Sequence, residues 1–261
     1  MKLNIKYALV SLGLGLTVSS HAIVTFGGSD AYGVQTSVSL LTFNLNIGAV
    51  PTASGTAPPP YNDTDQVLSL NVSGGALGSL STGIMTVNAS SDVDGTAGSR
   101  FAMADAEVNG LNLVLVPGTG SPDLLNLTAD QVTSDSMVSG DFGSLVGVGN
   151  TVLTNTVLTI LGTGVSINSN PAPNTVVFNS LGITITLNEQ FASGDGISSR
   201  GQTTNAIHIG LVDVVGGGGL VNGDIVIAHS AANLEAVVPE PTSIIGAVVG
   251  LAWLAARRRR R

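Results

Sequence analysis

Ile183-Thr184-Ile185-Thr186-Leu187-Asn188 (ITITLN, residues 183–188) alternates apolar and polar side chains without a break. Successive side chains of an extended strand point to opposite faces, so this pattern gives one face to a core and the other to water. Gln66 to Val72 and Phe101 to Val108 alternate less strictly. Thr156 to Leu161, Thr175 to Phe178, Ile207 to Val215 and Ile225 to Ala228 are short apolar runs that read as buried strands. Gly, Pro, Asn and Asp clusters separate them, and no long segment carries a capped 3.6-residue apolar period. Many short strands divided by turn signals predict an all-β fold. Ala102, Ala104 and Ala106 give one strand a thin face that lets a second layer approach closely. An antiparallel β-sandwich-like domain is the first expectation, and a β-solenoid or roll is the alternative.

Breaks in the pattern predict loops. Pro51 to Asp65 contains Pro58-Pro59-Pro60, which cannot donate to a ladder, and reads as a long loop. Gly216 to Gly219 reads as a hairpin connection. Pro117 to Asp123 is the best candidate for a domain break, and a surface turn accounts for it equally well.

Both ends carry targeting features. Lys2 and Lys6 precede the apolar run Ala8 to Val18, and Ser20-His21-Ala22 places small residues at the −3 and −1 positions. This is the pattern of a secretory signal peptide over residues 1–22, cleaved after Ala22. At the other end, Pro239-Glu240-Pro241 precedes an uncharged stretch, 242–256, and then Arg257, Arg258, Arg259, Arg260 and Arg261. A helix of that stretch is about 22 Å long, short of the ~30 Å hydrocarbon core. Trp253 suits the interface, and the arginines hold the C-terminus in the cytoplasm. The expected organisation is a signal helix at 1–22, an all-β surface domain at 23–237 and a membrane-held tail at 238–261.

Charge narrows the partners. Between the two ends there is no lysine, and only Arg100 and Arg200 face thirteen Asp and three Glu, a net charge of −14 at neutral pH. Such a surface repels phosphate backbones, so nucleic acid is excluded as a partner. The chain has no cysteine, which excludes disulfides, zinc thiolates and thiol nucleophiles.

The tail resembles a PEP-CTERM sorting signal: Pro239-Glu240-Pro241, an apolar helix, then the arginine cluster. That resemblance implies processing by an exosortase, a membrane cysteine protease-transpeptidase. It also implies transient anchoring in the inner membrane and passage to the surface of Gram-negative bacteria that make exopolysaccharide. The middle resembles the choice-of-anchor P family in AYGVQ (Ala31 to Gln35), ADAEVNGLNL (Ala104 to Leu113) and LTADQVTSDS (Leu127 to Ser136). ITLNEQ (Ile185 to Gln190), TNAIHIGL (Thr204 to Leu211) and GDIVIAHSAA (Gly223 to Ala232) continue it. This resemblance implies a surface domain that rides on its host's sorting route, and it brings no catalytic residues.

Candidate chemistry in the middle is sparse. Asp92-Val93-Asp94-Gly95 and Asn62-Asp63-Thr64-Asp65 resemble parts of a calcium loop, with Asp92, Asp94, Asp63 and Asp65 as ligands. The same strings are ordinary turn chemistry. His229 alternates in phase with Ile225 and Ile227, toward the apolar face, while His208 is out of phase with Ile207 and Ile209. On different strands the two imidazoles could meet in a metal or pH-sensing site, or simply pack. Glu107 and Glu189 are the candidate carboxylate pair for a glycoside hydrolase. No G-x-S-x-G, G-x-G-x-x-G or H-E-x-x-H string is present. Tyr32 and Tyr61 are the only aromatic residues of the middle besides phenylalanine, which disfavours a broad stacking platform but leaves polar sugar contacts open. The expected role is a non-enzymatic surface or matrix protein associated with exopolysaccharide and biofilm, with no cofactor. The alternatives are a calcium- or glycan-binding adhesive module and, behind it, a matrix glycoside hydrolase.

Overall fold

A computed structural model describes residues 22–118 and 122–237. The expected signal helix before Ala22 and the expected sorting signal from Val238 onward, with its apolar helix, lie outside the described residues. Among the described residues, no helix is long and apolar enough to cross a membrane.

The described chain is all-β, with antiparallel pairing throughout. In chain order the first strands are β1 (Ile23–Leu40), β2 (Phe43–Ala57), β3 (Tyr61–Val67), β4 (Leu70–Ser73) and β5 (Gly78–Thr82). Then come β6 (Met85–Ser91), β7 (Arg100–Leu115), β8 (Leu125–Gly140), β9 (Val146–Thr154) and β10 (Val157–Ile160). The last are β11 (Thr163–Val165), β12 (Thr175–Ser180), β13 (Ile183–Ser193), β14 (Ser199–Gly216) and β15 (Gly219–Val237). One sheet has the order β12-β13-β14-β15-β1-β2. The other runs β11-β10-β8-β7-β5-β4, with β6 and β9 paired to the remaining halves of β7 and β8, and β3 on β6. Neither sheet closes into a barrel. The layers face each other: β15 lies on β7 and β8, β1 on β6 and β7, and β14 on β8 and β9.

The alanine face of β7 does what its size allows. Ala102, Ala104 and Ala106 are buried between the layers. Gly149 of β9 approaches the opposite sheet so closely that an added Cβ would overlap the Thr204 hydroxyl. The core divides into two apolar clusters. The larger runs through Val34, Leu45, Leu113, Ile207 and Ile227, and the smaller through Val24, Val93, Val138 and Leu234. Ser134, Ser136, Thr151, Thr204 and Ser230 are also fully buried, on the same strands as these apolar residues.

One loop expectation and one strand expectation need revision. Pro51 to Asp65 is not one long loop: Pro51 to Ala57 completes β2, Tyr61 to Asp65 opens β3, and only Pro58 to Pro60 connects them. Proline is tolerated in β2 because β2 is an edge strand and one side of its ladder has no partner strand. Gln66 to Val72 is likewise broken, with β3 ending at Val67 and β4 starting at Leu70. The glycine run is a hairpin as expected. Gly217 and Gly218 both have positive φ, 57° and 81°, as a two-residue turn matched to strand twist requires. Pro117 to Asp123 connects β7 to β8, which pair along most of their length.

Candidate functional site

The six-stranded sheet carries a transverse fault. Pairing lapses at Asn188 and Ala206 between β13 and β14, and at Ala206 and Ala228 between β14 and β15. It lapses again at Ala228 and Gly33 between β15 and β1. Asn188 and Ala228 sit in the left-handed region, with φ of 49° and 52°. For an alanine this costs about 1–2 kcal/mol. The fault inverts which residues face inward. On β15 the buried set changes from Ile225 and Ile227 to Ser230, Ala232 and Leu234, and on β1 from Ala31 to Val34, Thr36 and Val38. Irregularities of this kind re-aim side chains.

The re-aimed row is Glu189, Asn205, His229 and Tyr32, in cross-strand register on the outer face of β13, β14, β15 and β1. This overturns the in-phase reading of His229: Ala228, in the left-handed region, drops out of the ladder together with Ala206 and Gly33 opposite it, the phase inverts there, and His229 points away from the face of Ile225 and Ile227. Six side chains then form one hydrogen-bonded and ion-paired chain. Asp224 Oδ1 lies 3.2 Å from His208 Nε2, and His208 Nδ1 lies 3.0 Å from Glu189 Oε1. Asn205 Nδ2 donates to Glu189 Oε2 at 2.7 Å, and Asn205 Oδ1 lies 2.6 Å from His229 Nδ1. His229 Nε2 lies 3.3 Å from Asp30 Oδ2. The Tyr32 ring stacks on His229, with centroids 4.3 Å apart and planes 10° apart.

His208 therefore has a carboxylate on each nitrogen, a geometry that only the doubly protonated ring satisfies with two donated bonds. Burial is the largest single influence on this ring and works against its charge. The bonds and attraction from Glu189, then Asp224, together outweigh it and raise the pKa above 6.5. Burial, with the charges of Asp30 and Glu189, pushes the Tyr32 hydroxyl up to about 12.

The other candidates are dispersed. Glu107 stands on the outer face of β7, bonded by Asn109 Nδ2 at 2.7 Å. Both layers lie between it and Glu189, so the two carboxylates do not form a pair. Asp63 and Asp65 project from β3 to the free edge of β2. Ser54 N donates to Asp63 Oδ2 at 2.9 Å, and Thr52 N to Asp65 Oδ2 at 3.2 Å. Asp92 accepts from Phe101 N at 2.6 Å. Asp94 accepts from Thr96 N and its hydroxyl and pairs with Arg100 at 2.7 Å. Among the described residues no three His, Asp or Glu side chains converge in a way that could hold a metal ion. Ala22 immediately precedes β1; Pro239 to Pro241 and Arg257 to Arg261 lie outside the described residues.

Sequence reasoning missed Asp30, Asn205, Asp224 and the stack on Tyr32. Alternation alone puts Asp224 and His208 on the outer face, but their meeting depends on the register shift between Leu211 and Val214. The others depend on the fault, and neither Ala206 nor Ala228 carries a sequence signal for it.

No family model and no curated protein matches the sequence. Among solved structures the chain is similar to Ail, the attachment invasion locus protein of Yersinia pestis. The identity is 6%, covering 82% of this chain and 100% of that one, with a TM-score of 0.16. At that score the likeness carries no weight for fold or function.

Proposed function

We propose that this chain is an exported, non-enzymatic surface protein. It is trimmed at both ends through an exosortase-type route and works in a structural or adhesive role at the cell surface or in an exopolysaccharide matrix. Its two layers are read as a β-sandwich rather than a solenoid, flanked before processing by a signal helix and a short membrane helix. The observation that carries this reading is the co-occurrence of Pro239-Glu240-Pro241, an uncharged stretch and five terminal arginines behind a lysine-free domain of net charge −14. The outer face of β13, β14, β15 and β1 is read as the contact surface. It concentrates carboxylates, imidazoles and a tyrosine where no core demands them.

The test is expression in an exopolysaccharide-producing host with and without its exosortase, followed by mass spectrometry of the protein's C-terminus in each cell fraction. The expected result is a surface form lacking residues beyond the Pro239–Pro241 motif, lost when the exosortase is deleted. Full-length protein in the cytosol of both strains would overturn the proposal. The adhesive variant of the same reading, glycan binding, is favoured by a trough beside the contact face.

A further inference from the structure

Beside the His229 row, the outer face sinks into two adjoining hollows of about 320 Å³ and 190 Å³ that share Asn233. The hollows exist because their floor lacks side chains: Gly201 and Gly28 flank Asn233 in register on β14 and β1. A Cβ on Gly28 would come within 2.6 Å of Asn233 Oδ1 and 3.1 Å of the Phe26 ring, and one on Gly201 would overlap the Ser193 hydroxyl. The Phe26 ring thus lies over one end. Phe191, 56% exposed, stands beyond the rim, two residues before Ser193 on β13 and opposite Thr203.

Apart from the Ser29 hydroxyl, which is bonded to Tyr61 and the Ser90 carbonyl, most polar groups of this trough are uncommitted. Among the described residues, no protein partner engages the Asn233 amide, the hydroxyls of Ser54, Thr56, Ser193 and Ser199, or the Glu235 carboxylate. Asp30 uses one oxygen on His229 and leaves the other free. The contrast with the candidate calcium carboxylates is sharp, since those four all accept hydrogen bonds from the protein. Besides the two histidines, the charged side chains along the row and the trough are acidic, namely Asp30, Glu189, Asp224 and Glu235, with Asp213 further along β14. The nearby Arg200 contributes backbone, and its side chain runs against Gly147 of the opposite sheet. Glu235 and Asp30 are four residues apart in register along the strands, about 13 Å.

We infer that this trough binds an amine-bearing glycan, an extended chain of amino sugars with free ammonium groups. Uncommitted hydroxyls and an amide suit a polyol, the phenylalanine rings offer apolar planes to sugar rings, and the two carboxylates take ammonium groups at either end. An anionic polysaccharide meets only repulsion there. The inference rests on reading this face as the contact surface.

Calorimetric titration of the full-length chain in mild detergent tests it. The probes are the fully deacetylated hexamer of glucosamine, its N-acetylated counterpart, an oligouronate of equal length, and spermidine. We expect saturable binding of the deacetylated hexamer, weakened about tenfold in Glu235→Gln and again in Asp30→Asn, the loss of one charge-assisted hydrogen bond each. The Glu235 carboxylate has no protein partner among the described residues, so its variant keeps the fold even if Asp30→Asn loosens the His229 row. Equal binding of the acetylated hexamer, preference for the oligouronate, spermidine binding as tightly as the sugar, or an unchanged Glu235→Gln variant would each overturn the assignment. Exosortase trimming with no sugar binding sinks only this inference, and binding without trimming sinks only the sorting proposal.

Discussion

When protonated, His208 donates to carboxylates on both sides, so its charge joins β13, β14 and β15 on the outer face. Its pKa is raised on folding, so its contribution to stability is complete below about 6.5 and disappears as pH rises through the folded value. The ring is partly exposed, and the effect stays below about 1 kcal/mol, or about 2–4 °C in melting temperature for a domain of this size. Melting curves between pH 5.5 and 8.5 are expected to show that decline in the wild type and a flatter profile in His208→Gln. The acid end runs the other way. The Asp195 carboxylate is held well below its usual range by the amides of Ser199, Ile197 and Ser198, so its contribution is present above about pH 4 and lost as pH falls. Ala228 offers a second residue-scale test. A β-branched side chain cannot adopt φ of 52° without clash. Ala228→Val is expected to cost about 2 kcal/mol or more, lowering the melting temperature by about 4–8 °C, while Ala228→Gly relieves the backbone and costs little. Equal losses in both variants would mean that volume, rather than backbone conformation, decides the site.

At the scale of the element, β2 is the strand most in need of protection. It is an edge, and unpaired edge amides invite pairing with another chain. The carboxylates of Asp63 and Asp65 receive the amides of Ser54 and Thr52, and so replace a neighbouring strand at two points. The double variant Asp63→Ala/Asp65→Ala is expected to self-associate at concentrations where the wild type stays monodisperse by light scattering, with no calcium needed to suppress this in the wild type. Restoration of the monomer by Asn at both positions would leave charge out of the account, because Asn keeps the accepting oxygen. This element also shows what a sequence can and cannot convey. The alternation of 183–187, the alanine face of β7 and the glycine hairpin are local patterns whose physical causes lie within a few residues, and they were legible. The use of Asp63 and Asp65 as an edge cap depends on a strand that pairing brings alongside, so the same NDTD string read as a turn or a metal loop. The Glu189 row was hidden for a related reason. Period-2 reasoning holds only while every strand stays in phase, and on β13, β14 and β15 the fault at Asn188, Ala206 and Ala228 breaks the phase without a glycine or proline; only β1 has a glycine there, Gly33.

For the molecule as a whole, the interior polar groups between the two sheets decide how firmly the layers hold. Ser136 Oγ lies 2.8 Å from Thr204 Oγ1, 3.1 Å from Ser230 Oγ and 3.0 Å from the carbonyl of Ser230, so one serine ties β8 to β14 and β15. Ser134 and Thr151, directly opposite each other on β8 and β9, are as deeply buried, yet their hydroxyls have no partner. Removing a satisfied buried hydroxyl strands its partners, whereas removing an unsatisfied one relieves a desolvation penalty. Two variants of similar chemistry should therefore move stability in opposite directions. Ser136→Ala is expected to lose about 1–2 kcal/mol, and Ser134→Ala/Thr151→Val to gain about 1–2 kcal/mol, both read as midpoint shifts in urea at unchanged slope. A loss in both would mean that the second pair holds a water between the layers, since a bridging water satisfies hydroxyls that lack protein partners. A gain in both would mean that the Ser136 bonds do not repay the cost of burying them, and the stability of the two-layered arrangement would then rest on its two apolar clusters alone.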